Sequence, residues 1–95
     1  METDCVFIDV SDLPPPEPLA VAMAATERLR PGQYLHMHHW REPLLLYKRL
    51  IQKNFGYDTR SGQDDACEIF VWRLDDPAAQ QAANVAAGQL PPWRE

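Results

Sequence analysis

A chain of 95 residues suits one small domain with a single core. Its 45 % hydrophobic and 24 % charged residues argue against a disordered chain, and no apolar run approaches the roughly 20 residues that span a bilayer. Nine Lys and Arg against 14 Asp and Glu give a net charge of −5 without a basic face to neutralise phosphates, which argues against nucleic acid as a partner.

Residues 5–10 predict a strand, β-branched and aromatic, with Val6, Ile8 and Val10 on one face. Residues 11–18 form a proline-rich turn, in which Pro18 fits the first turn of a helix and Glu17 suits the positive end of its dipole. An alanine-rich helix follows from Leu19 to Leu29, broken at Arg30, Pro31 and Gly32. Gln33 to His39 is a second strand, with Leu35 and Met37 inward and Tyr34, His36 and His38 outward. Pro43 opens a helix running to about Asn54, for which Leu44, Tyr47, Leu50 and Ile51 form the expected apolar stripe. Gly56 is the expected left-handed cap.

Tyr57 to Arg60 and Cys67 to Leu74 read as strands joined by a hairpin at 61–65. Asp75, Asp76 and Pro77 then start an Ala/Gln-rich helix to about Ala87, whose alanine face predicts weak packing. From Gly88 onward the expectation is a frayed tail. The order β-α-β-α-β-β specifies a two-layer α/β (α+β) sandwich with a four-stranded mixed sheet and both main helices on one face. Residues 1–75 make up that domain, and 76–95 a C-terminal helical extension and tail.

Cys5 and Cys67 are too few for a disulfide scaffold, and the acidic start of the chain lacks the features of a signal peptide. The expectation is a soluble protein of the reducing cytoplasm.

The run Leu13, Pro14, Pro15, Pro16, Glu17, Pro18 and Leu19 between strand and helix resembles the loop of the TusA/SirA-like sulfur carriers. Setting Leu13, Pro16 and Pro18 on that family's leucine and two prolines puts Pro15 where the sulfur-carrying cysteine would stand. The same run, with His39, Glu42, Pro43, Leu46 and Tyr47, looks more like a related uncharacterised group, domain of unknown function 2249. The resemblance covers roughly the first 75 residues and implies the sulfur-carrier fold without its chemistry, because a persulfide needs a thiol.

In parallel strands the carboxyl ends share one side of the sheet, where open α/β sheets commonly bind ligands. That edge is expected to gather Asp9, Asp12, Glu17, His38, His39, Trp40, Arg41 and Glu42. Pro15, Glu17, His39, Arg41 and Glu42 are the expected contacts of a non-enzymatic adaptor with a partner protein. The alternative is a zinc or iron module in redox metabolism, with His36, His38 and His39 as ligands. Phosphate capture is disfavoured, since Pro14, Pro15, Pro16 and Pro18 lack the N–H groups an anion needs. No Gly-x-Ser-x-Gly or Cys-x-x-Cys arrangement suggests catalysis. The outward sheet face, with Cys5, Phe7, Tyr34, His36 and His38, needs cover from the C-terminal helix or from a homodimer.

Overall fold

The computed structural model describes residues 5–93. In chain order it contains β1 (Cys5–Asp9), α1 (Glu17–Glu27), β2 (Tyr34–His39), α2 (Leu44–Gln52), β3 (Phe55–Ser61), a 3-10 turn (Gln63–Asp65), β4 (Cys67–Arg73) and α3 (Pro77–Ala87). The sheet order is β1-β2-β4-β3. β1 and β2 are parallel, while β4 is antiparallel to both β2 and β3. This is the expected α+β architecture with a four-stranded mixed sheet. Among the described residues no helix is long and apolar enough to cross a membrane.

Strand alternation builds the main core. Leu35 and Met37 of β2 and Ile69 and Val71 of β4 turn to one face, where Ala22, Leu46 and Leu50 of the helices bury them. Each large aliphatic side chain removed from water in this way contributes about 1.5–3 kcal/mol. Thr26 is also fully buried, and its Oγ1 donates to the Met23 carbonyl at 2.8 Å, so its burial leaves no unmet hydroxyl.

The second helix differs from its expected stripe. Leu46, Tyr47 and Leu50 are its buried residues, whereas Leu44 and Ile51 are 66 % and 62 % exposed. Leu46 and Leu50 stand one turn apart with Tyr47 beside them, and that sector alone meets the sheet in a helix of nine residues. The left-handed cap also moves: Asn54 takes it, with φ 67°, and Gly56 lies inside β3. Gly56 is needed there for space, since a Cβ would lie 2.7 Å from the indole of Trp72 on the neighbouring strand.

On the second sheet face, α3 covers Tyr34, Phe70 and Trp72. Ala79, Ala83 and Ala87, one turn apart, are each completely buried. Short side chains let the helix backbone approach the aromatic rings, which supply the apolar area that alanine lacks. The helix start is pinned by Asp76, whose carboxylate accepts from Ala79 N–H at 3.1 Å and from Gly32 N–H at 2.8 Å.

The expected frayed tail is instead attached as far as it is described. Ser61 N–H donates to the Pro91 carbonyl at 3.0 Å, Arg60 Nη1 donates to the Leu90 carbonyl at 3.3 Å, and Trp93 packs against the main core. The tail lies along β3, an edge strand whose outer hydrogen-bonding groups it takes up.

Candidate functional site

The carboxyl ends of β1 and β2 and the starts of α1 and α2 meet on one side of the sheet, around a cleft of about 340 Å³. One wall is Pro15, Pro16, Pro18 and Leu19; the other runs from Arg41 to Leu46, with Met37 and His39 between. Two proline-led turns shape these walls: Pro16 and Pro43 hold the N-cap positions, neither with a side-chain cap, and the Pro15–Pro16 bond is cis. Fixed φ angles at the prolines leave few conformations for the wall to adopt.

Of the five residues expected as partner contacts, Pro15, His39, Arg41 and Glu42 line this cleft. Glu17 is not among its lining residues; it heads α1, with its N–H donating to the Pro14 carbonyl at 2.9 Å. Leu44 and Leu45 line the cleft while remaining 66 % and 56 % exposed. Leu44 belongs to the apolar stripe expected from sequence, but helical spacing alone does not say which of two apolar sectors meets the sheet.

The surroundings of His39 disfavour its protonated form. Loss of hydration lowers its pKa first, followed by the charges of Arg41 and His38, with the Asp9 carboxylate opposing them. Its Nδ1 is closed to solvent and has no hydrogen-bond partner among the described residues. Asp9 keeps its charge readily, because the Ser11 hydroxyl and N–H donate to Oδ1 at 2.6 and 2.9 Å.

The three histidines do not converge. Alternation along β2 sends His39 to the cleft and sends His36 and His38 through to the opposite face. There both meet Glu68: His36 Nε2 lies 2.7 Å from Oε1, and His38 Nδ1 lies 2.7 Å from Oε2. Each imidazole N–H donates to one carboxylate oxygen. Glu68 stands directly across from His38 in the β2–β4 ladder and is 8 % exposed. Glycine at position 62 leaves room for it, since a Cβ there would lie 2.5 Å from the Glu68 carboxylate and push it off the histidines. Phe7, Phe70 and Trp40 frame the pair of rings, with His36 stacked on Phe70 at 4.4 Å between centroids. Among the described residues no three His, Cys, Asp or Glu side chains are grouped so as to hold a metal ion.

Glu68 was absent from the expected site. Its signal was available, as the single acid in the otherwise apolar run from Cys67 to Trp72.

Both cysteines are free thiols, and neither lies in the cleft. Cys67 is fully buried, and burial, with the nearby Glu42 and Glu68 carboxylates, pushes its thiol up to about 12. Burial also raises Cys5. Iodoacetamide at mildly alkaline pH is therefore expected to label Cys5 slowly and to reach Cys67 only in denaturant. Rapid labelling of Cys67 in the folded protein, read by peptide mass, would contradict this packing.

The fold and cleft define a small α/β sandwich with an apolar cleft at the carboxyl ends of its two parallel strands. A family model described as an uncharacterized conserved protein, DUF2249, matches residues 7–73, and the chain belongs to that family. No curated protein and no solved structure matches the chain.

Proposed function

We propose that the protein is a non-enzymatic binding module, an adaptor that takes an apolar segment of a partner protein into the cleft between the proline loop and α2. The observation that carries this reading is the meeting of Pro15, His39, Arg41 and Glu42 around one cleft whose wall includes the solvent-exposed Leu44 and Leu45. Exposed leucines at a concave site cost solubility and gain only when another apolar surface covers them. Proline walls have little conformational entropy to lose on binding, and Arg41 and Glu42 offer charges of both signs to orient an incoming segment.

Sulfur relay is not part of this reading. The resemblance to sulfur carriers rests on the order of elements and the loop pattern, and Pro15 stands where that chemistry needs a thiol. Two unpaired thiols suit a reducing compartment such as the cytoplasm.

A photo-crosslinking residue at position 45, expressed in the producing cell, tests the proposal. One discrete protein adduct is expected, and Leu44→Asp should weaken its capture roughly tenfold. The same probe at the exposed Lys48, outside the cleft lining, should give no such adduct. Equal capture from both positions, or capture indifferent to Leu44→Asp, would overturn it.

A further inference from the structure

The two edges of the sheet are treated differently. Along β3 the tail takes up the free hydrogen-bonding groups, with Pro91 accepting from Ser61 and Pro92 bridged to Arg60. At the other edge β1 pairs with β2 only, among the described residues. Its cover is partial: Val6 and Ile8 pack against the main core and Cys5 against the second cluster, but none of the three is fully buried. Phe7, at the centre of β1, is 57 % exposed, and Val6 and Ile8 on the other face are only half-buried. Natural edge strands are commonly guarded by lysine, proline or a bulge. Cys5–Asp9 contains neither lysine nor proline and runs in unbroken register with β2.

We infer that β1 is a self-association edge, on which two copies of this chain pair antiparallel about Phe7 to make one continuous eight-stranded sheet. The strand is self-complementary, which favours a second copy as its partner. A two-fold axis at Phe7 sets Phe7 against Phe7, Val6 against the second copy's Ile8, and Cys5 against its Asp9. Every pair shares a sheet face, as antiparallel strands require. The register also suits the charge of −5. The one charged residue of β1 faces a neutral thiol, whereas a register centred on Asp9 would oppose two carboxylates. In the chosen register the row Phe70, His36 and Phe7, already in ring contact, continues into the same row of the other copy. A five-residue edge lies at the low end of specific interface size, so the dimer is expected to be reversible.

Sedimentation equilibrium on the full chain over a dilution series tests this. The wild type is expected to follow a monomer–dimer equilibrium, and Phe7→Lys to weaken it roughly tenfold or more while the diluted monomer keeps its circular dichroism spectrum. Asp9→Cys, mildly oxidised, is expected to give a covalent dimer whose peptide map joins Cys5 of one copy to position 9 of the other. Leu44→Asp, which tests the cleft, should leave the dimer unchanged, so failure of one proposal is distinguishable from failure of the other. A monomer at every concentration, a dimer indifferent to Phe7→Lys, or a crosslink joining position 9 to position 9 would overturn the inference.

Discussion

Ala83→Asp is expected to remove a large part of the stability of this protein. Ala83 is completely buried in the seam between α3 and the sheet, in the cluster that includes Phe70 and Trp72. A carboxylate there would have neither water nor a counter-charge, a cost of about 3 kcal/mol or more. The total for a domain of 95 residues is on the order of 5–14 kcal/mol. The urea midpoint should fall, and a hydrophobic dye should bind if α3 lifts away from Tyr34, Phe70 and Trp72. Gln81→Asp, on the exposed side of the same helix, controls for charge and helix propensity and should be nearly neutral. Equal effects at positions 81 and 83 would show that α3 does not pack through its alanine seam.

The second large effect is expected at Glu68. Its carboxylate is the acceptor for both His36 and His38, and its side chain is 10 % exposed. Glu68→Ala strands two imidazole N–H groups and opens a void, a loss of about 2–4 kcal/mol. Glu68→Gln keeps the shape but offers one carbonyl oxygen where two were used, so a smaller loss of about 1–2 kcal/mol is expected. The side-chain N–H resonances of both histidines should broaden by exchange with water in Glu68→Ala. A fully stable Glu68→Ala with both resonances retained would refute the bridge.

Much of this architecture is visible in the order of residues because its signals are local. Alternation identifies β1, β2 and β4, and Pro77 after Asp76 marks the start of α3 where the structure has it. The cleft was largely legible for a topological reason: a strand, helix and parallel strand bring two carboxyl ends together, and with them Pro15, His39, Arg41 and Glu42. What could not be read depends on distant partners. Gly56 resembles a helix stop until Trp72 is set beside it, 16 positions later in the chain. The tail from Gly88 looks unattached until β3 is placed as an edge. The histidines looked like one set because they are close in sequence, yet Glu68 selects two of them and the pleat of β2 takes the third away.

That pleat has a genetic consequence. Removing the Leu35 codon would shift the rest of β2 by one place and invert it. His39 would then be presented to Glu68, while His38 and the bulk of the β2 core would be exchanged between sheet faces. In-frame deletions at the start of this stretch should therefore behave as null alleles in a library screen, and deletions after Met37 more mildly. His38→Ala and His39→Ala, although neighbouring codons, should sort into unrelated phenotypes.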